Sequence, residues 1–173
     1  NEPPIASNGL APWSWSTIGA HTEGSTSIAL GDLDRDGDLD IVVGNHDGSP
    51  SRVHLNDAAG GAAAIRADLK TDSGTPLAGS DGKKTMDVAI SGSESGDGKP
   101  LDLNMDGIPD IVLAVDGGHN LIYYGRGPET SPAGTHGDFG PVGPTEIGSP
   151  CTSTGCSGDD PIKETQTVTL IDV

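Results

Sequence analysis

Aspartate occupies every second position from Asp32 to Asp40 in the segment GDLDRDGDLDIVVGN (31–45), and an apolar run follows at once. Carboxylates this close raise one another's energy when all are ionised, so a positive charge is expected among them. The alternating aspartates, the turn-permitting Gly37 and the late Asp40 indicate a loop folded around a hard ion. An all-oxygen set without His or Cys suits calcium better than zinc or copper. The segment therefore predicts a calcium loop.

The same arrangement recurs in DLNMDGIPDIVLA (102–114), about 70 residues further along the chain. The residues in matching places are Asp102, Asn104, Asp106, Gly107 and Asp110. A second interval of the same length ends at Asp172, in TVTLIDV, which resembles the TSIALGD that leads to Asp32. The sequence thus predicts an internal repeat, with about two and a half copies of which the third stops as its loop begins.

An EF-hand loop also begins with alternating acidic residues, but it needs a bidentate Glu at loop position twelve and a helix after it. Position twelve is Val43 in the first loop and Leu113 in the second, and neither side chain can bind a metal. Asp40 and Asp110, at position nine, supply the late carboxylate instead. The EF-hand is therefore excluded.

Composition limits the fold and the partners. The chain of 173 residues holds 27 glycines and 13 prolines, its aromatic content is 3%, and no segment shows sustained apolar spacing at the helical period, which is typical of an all-β protein. A net charge of −17 argues against nucleic acid, which is bound by neutralising phosphates with Lys and Arg. No apolar run approaches the roughly 18 residues of a membrane span.

Short β-branched segments flank the loops. The strands predicted in the first repeat cover 27–30, 40–44 and 51–57, and those in the second cover 85–90, 120–127 and 137–150. The Gly- and Ser-rich stretch 91–100 is predicted to be an exposed excursion. Four short strands in a repeat predict one blade of a β-propeller, built of antiparallel strands. Tyr123 and Tyr124 fall on opposite faces of their strand, so at most one belongs to the core.

The stretches ALGDLDRDGDLDIVVGN, SRVHLND, DLNMDGIPDIVLA, NLIYYGRG and GDFGPVGPTEIGS resemble the FG-GAP, or VCBS-type, repeats of integrin-α-like β-propellers. Propellers of this family close with about seven blades, so the resemblance implies an incomplete propeller. It divides the chain into a lead-in segment (1–16), a first blade (17–84), a second blade (85–156) and the start of a third (157–173).

The resemblance also implies a ligand set for calcium. Loop positions one, three, five and nine bind through their side chains and position seven through its carbonyl. In the first loop these residues are Asp32, Asp34, Asp36 and Asp40, with the carbonyl of Asp38. In the second loop they are Asp102, Asn104, Asp106 and Asp110, with the carbonyl of Ile108.

Cys151 and Cys156, in CTSTGC, are predicted to form a small disulfide loop if the protein is extracellular, and the alternative is two free thiols. The sequence contains no nucleophile motif and no phosphate-binding loop.

We therefore expect no enzymatic activity from this chain.

Three functions fit these features. The first is a calcium-stabilised extracellular or cell-surface module for binding or adhesion, with a protein partner, identical subunits or carbohydrate as its ligand. The second is a structural subunit of an extracellular filament or sheath. The third is the propeller part of a polysaccharide-acting enzyme.

Overall fold

The computed structural model describes residues 18, 22–56, 74–92, 102–127, 139 and 143–147. These residues form strands, turns and loops only. The strands are β1 (Ser25–Gly31), β2 (Asp40–Asn45), β3 (Arg52–His54), β4 (Thr75–Pro76), β5 (Lys84–Ile90), β6 (Ile111–Asp116), β7 (Asn120–Tyr123) and β8 (Thr145–Ile147).

The strands form two four-stranded antiparallel sheets, in the orders β1-β2-β3-β4 and β5-β6-β7-β8. Each strand pairs with its neighbour along the chain, so each sheet is a meander. The registers also match, since Val42 pairs with both Ala29 and Val53 in the first sheet, and Val112 holds the equivalent place in the second. The structure thereby confirms the predicted all-β fold with four antiparallel strands in each repeat, as in propeller blades.

Both sheets carry an irregularity at the same point of their first strand. The register of β1 against β2 shifts between Ser25 and Ser27, and that of β5 against β6 shifts between Thr85 and Asp87. An extra residue in one strand bends it and increases its twist. The shared irregularity supports the internal repeat independently of the acidic loops.

The strand bounds depart from the predicted ones in particular places. The third strands are shorter than predicted, and β4 escaped prediction because two residues give no pattern to detect. The prediction that residues 91–100 form an exposed excursion is wrong at the first residue, Ser91. Ser91 is buried, and its N–H donates to the backbone oxygen of Asp110 at 2.8 Å, because it extends the pairing of β5 with β6. Residues 93–100 lie outside the described part of the chain.

The two sheets pack through β1, β2 and β5. The first sheet contributes small residues to this contact, and the second contributes larger ones. A Cβ at Gly44 would lie 2.8 Å from the Cγ2 atoms of Thr85 and Val88, and one at Gly31 would lie 2.9 Å from Cγ2 of Ile90. The buried core cluster consists of Leu33, Val42, Val53, Leu77, Val88, Ile111, Leu113, Val115, Leu121, Tyr123 and Phe139.

Hydrogen bonds fasten the rim of this contact. The hydroxyl of Thr26 donates to the backbone oxygen of Thr85 at 2.6 Å, and that of Ser27 donates to Oδ1 of Asp87 at 2.8 Å. The hydroxyls of Ser51 and Thr85 are 2.9 Å apart in the interior. Buried polar groups are stable only when hydrogen-bonded, so these contacts fix the relative position of the sheets.

The tyrosine prediction is confirmed. Tyr123 is buried and donates its hydroxyl to the backbone oxygen of Ala78 at 3.1 Å, whereas Tyr124 is exposed. Burial raises the pKa of Tyr123 far above its usual range. Other predictions fall outside the described residues: the disulfide between Cys151 and Cys156, and the third loop at Asp172. Among the described residues there is no apolar helix of membrane-spanning length.

We expect Gly44→Ala to destabilise the protein because its methyl group would force Thr85 and Val88 apart. Overpacking of this kind costs about 1–3 kcal/mol. The measurement is the free energy of unfolding in urea. Gly24→Ala, one residue before β1, is the control, since its Cβ would meet Asp47 at an ordinary 3.8 Å. Equal stability of the two variants would contradict the proposed sheet contact.

Candidate metal centre

Both acidic loops lead into the second strand of their sheet. The first joins β1 to β2, and the second ends where β6 begins. In each loop, side-chain oxygens accept backbone N–H groups from residues a few positions ahead. These bonds wind the chain into a tight turn with its carboxylates on the inside.

The bonds repeat from loop to loop. In the first, Asp36 N–H donates to Oδ1 of Asp34 at 3.1 Å, Asp38 N–H to Oδ1 of Asp36 at 2.9 Å, and Gly37 N–H to Oδ2 of Asp32 at 3.2 Å. In the second, Asp106 N–H donates to Oδ1 of Asn104, Ile108 N–H to Oδ1 of Asp106, and Gly107 N–H to Oδ2 of Asp102. The two loops therefore share one conformation.

Left-handed backbone occurs at positions four and six of both loops. The φ angles are 64° at Arg35 and 93° at Gly37, and 61° at Met105 and 82° at Gly107. Glycine adopts this conformation without strain, whereas Arg and Met rarely do. The winding of the loop thus holds position four in a conformation that its side chain does not favour.

The aspartate at position nine is fully buried in both repeats and joins three segments of its sheet. Asp40 accepts the N–H of Leu33 on Oδ2 at 2.7 Å and that of Asn56, beyond β3, on Oδ1 at 2.8 Å. Asp110 accepts from Leu103 at 3.0 Å and from Gly125 at 2.9 Å in the same way.

Burial raises the pKa of Asp40 to about 6, and the neighbouring carboxylates of Asp34 and Asp36 add to the rise. The pKa of Asp110 is also raised to about 6, again by burial first and then by the charges of Asp102 and Asp106. The backbone bonds to these two aspartates act in the opposite direction, but they only partly offset burial. A cation in either loop would favour the charged form of the buried group.

The first loop brings together oxygens of Asp32, Asp34 and Asp40, all within 4.8 Å of one another. Oδ1 of Asp32 is buried and has no hydrogen-bond partner among the described residues. An orphaned carboxylate oxygen beside two further carboxylates is the environment that a hard divalent cation would complete. The residues present therefore fit a calcium ion in their chemistry.

The other predicted ligands differ between the two loops in exposure and in chemical type. Asp36 is exposed and is not one of the three clustered residues. In the second loop, Nδ2 of Asn104 donates to Oδ2 of Asp106 at 2.9 Å, so an amide stands where the first loop has another carboxylate. The roles of the carbonyls of Asp38 and Ile108 stay predictions.

Sequence reasoning missed three residues that support the loops. Asn56 and Gly125 occupy equivalent positions and give their backbone N–H groups to the buried aspartates. The hydroxyl of Ser91 accepts the N–H of Asp110 at 2.7 Å. A backbone N–H group can donate whatever the residue type, so residue types alone do not indicate such donors. Only alignment of the two repeats could have indicated Asn56 and Gly125.

Two stacked antiparallel sheets, each with an acidic loop before its second strand, define a β-propeller-like repeat protein. Residues 25–65, which contain β1, the first acidic loop, β2 and β3, match the family model of the FG-GAP repeat. The second sheet has the same strand order and the same loop winding. Neither the curated proteins nor the solved structures include a match to this chain.

We expect Asp40→Asn to lower the free energy of unfolding by about 1–3 kcal/mol. An amide can accept only one of the two backbone bonds that the carboxylate accepts, which leaves a buried donor unpaired. Chemical unfolding without added metal measures the loss. Asp38→Asn is the control, because it removes the same charge from the same loop without touching either bond. The prediction fails if both substitutions cost the same.

The raised pKa of Asp40 and Asp110 predicts a pH dependence in the metal-free protein. Their ordinary value is 3.8, so between pH 3.8 and about 6 the folded state binds more protons than the unfolded chain. The stability gained from these protons is complete below the ordinary value and is lost as the pH rises through about 6.

We therefore expect the metal-free protein to melt at a higher temperature at pH 5 than at pH 7.5, as measured by calorimetry. Asp47, whose pKa is lowered by its hydrogen bonds, loses its contribution only at more acidic pH. The double substitution of Asp40 and Asp110 by Asn is the control and should reduce the difference. A melting temperature that rises from pH 5 to pH 7.5 would contradict the assignment.

Proposed function

We propose that this chain is a calcium-stabilised extracellular binding module. Its two loops each hold one calcium ion, and these ions stabilise the sheets that present loops and strand edges to a partner. The observation that carries the proposal is the orphaned, buried Oδ1 of Asp32 in a cluster with Asp34 and Asp40. The repetition of the same winding in the second loop supports a second site.

Calcium would act on stability through the buried aspartates. Asp40 and Asp110 link their loops to the chain beyond β3 and β7, so neutralising the charge around them would strengthen the whole sheet. The same bonds make these groups unsuited to moving protons between reactants, because each carboxylate oxygen already accepts an N–H. This supports a module that binds and performs no chemistry.

The FG-GAP match supports an extracellular location, since repeats of this family are typically extracellular. Exposed apolar side chains on β1 favour a protein partner or an identical subunit over carbohydrate. Ile28 is 59% exposed and Leu30 is 58% exposed. Both alternate along β1 with Ala29, which packs against the core cluster.

Calorimetric titration with calcium should detect two binding events with dissociation constants of about 10⁻⁴ to 10⁻³ M, the range of extracellular modules. Millimolar calcium should then stabilise the fold by about 1 kcal/mol per site through mass action. That corresponds to a rise in melting temperature of about 2–4 °C per site. A chelator should reverse the rise.

Asp32→Asn should remove the first binding event and Asp102→Asn the second. Asp116→Asn is the control, since it removes a charge at the far end of β6. Titrations without heat, together with a melting temperature that calcium does not change, would refute the proposal.

A further inference from the structure

Arg35, at position four of the first loop, reaches the second loop. A Cβ at Gly107 would lie 3.4 Å from Nη2 of Arg35 and 4.0 Å from Nη1. Gly107 follows Asp106, and its N–H bonds to Oδ2 of Asp102. The guanidinium group therefore lies beside the turn that holds the carboxylates of the second loop.

The two loops also share the walls of a cavity of about 320 Å³. Asp32, Arg35 and Leu39 line it from the first loop, and Pro109 lines it from the second. The adjacency follows from the packing of the sheets, because Gly31 and Ile90, which end β1 and β5, are in contact. The approach of Arg35 to the second loop is thus set by the fold.

The two loops differ in charge, and only the first contains a basic residue that can act on its neighbour. The first loop carries five aspartates and Arg35, whereas the second carries three aspartates, Asn104 and no basic residue. Position four of the second loop is Met105, which is 92% exposed and uncharged. The first loop therefore places a positive charge beside the second loop, whereas the second loop has no basic side chain to place beside the first.

We propose that Arg35 lowers the calcium affinity of the second loop and makes it the weaker of the two sites. This inference rests on the proposed function. A fixed positive charge beside the loop repels an incoming divalent cation. In water, repulsion between a unit charge and a nearby divalent ion amounts to roughly a few-fold change in affinity, and salt screens it.

The test is calcium titration by calorimetry of the wild-type protein and of Arg35→Gln at low ionic strength. Each is also titrated in the Asp32→Asn and Asp102→Asn backgrounds, which isolate the second and the first site. Arg35→Gln should tighten the second site by roughly two- to tenfold, and salt of about 0.5 M should shrink the difference. The effect on the isolated first site should be smaller.

Two control variants separate charge from other effects. Arg35→Lys keeps the charge and should keep the weak second site. Lys84→Gln removes a charge that lies beside Asp116, at the other end of β5, and should leave both sites unchanged. If Asp32→Asn does not fold, the two-site titrations of Arg35→Gln and Arg35→Lys decide the matter, since only the former should tighten the weaker step.

The outcomes separate this inference from the proposed function. A wild-type protein that takes up no calcium overturns both. Calcium uptake that Arg35→Gln leaves unchanged, or strengthens only at the isolated first site, overturns the role of Arg35 and leaves the calcium sites standing.

Discussion

A buried carboxylate at the start of the second strand is the interaction on which each sheet depends. Asp40 and Asp110 each accept one backbone N–H from the acidic loop and one from the segment after the third strand. One side chain therefore closes the loop and ties it to the chain beyond the sheet. The cost of this arrangement is burial of a charge, as the raised pKa of both groups shows. The surrounding carboxylates increase that cost, and this explains why such a loop is chemically suited to a cation.

The contact between the two sheets is asymmetric, because the first sheet contributes small residues and the second contributes large ones. The first sheet turns Gly31 and Gly44 toward the second, where Ile90 and Val88 fill the space that side chains would otherwise occupy. Large residues facing small ones allow the sheets to approach closely and leave few voids. This close approach also brings the ends of β1 and β5 together, so the loops that follow them become neighbours. Packing of the core thereby determines the spacing between the two candidate metal sites.

The sequence predicted the parts of the molecule that side-chain type controls. Alternating aspartates and the Ile-Val-Val run indicated the first loop and β2, and recurrence of the pattern indicated the second sheet. It could not indicate β4, because two residues paired through their backbone have no compositional pattern. Nor could it indicate Asn56 and Gly125, whose role depends on an N–H group that every residue except proline carries. The burial of Ser91 was missed because its Gly- and Ser-rich neighbourhood is typical of exposed loops.

The two loops have the same conformation but different side chains at position three, so the repulsion between positions three and five differs. In the first, positions three and five are the carboxylates of Asp34 and Asp36, and their like charges repel each other. In the second, the amide of Asn104 donates to Asp106, and the guanidinium of Arg35 lies close by. The second loop thus replaces one carboxylate–carboxylate repulsion with an amide hydrogen bond. A repeat protein can in this way keep one loop geometry while varying how strongly each copy depends on a bound ion.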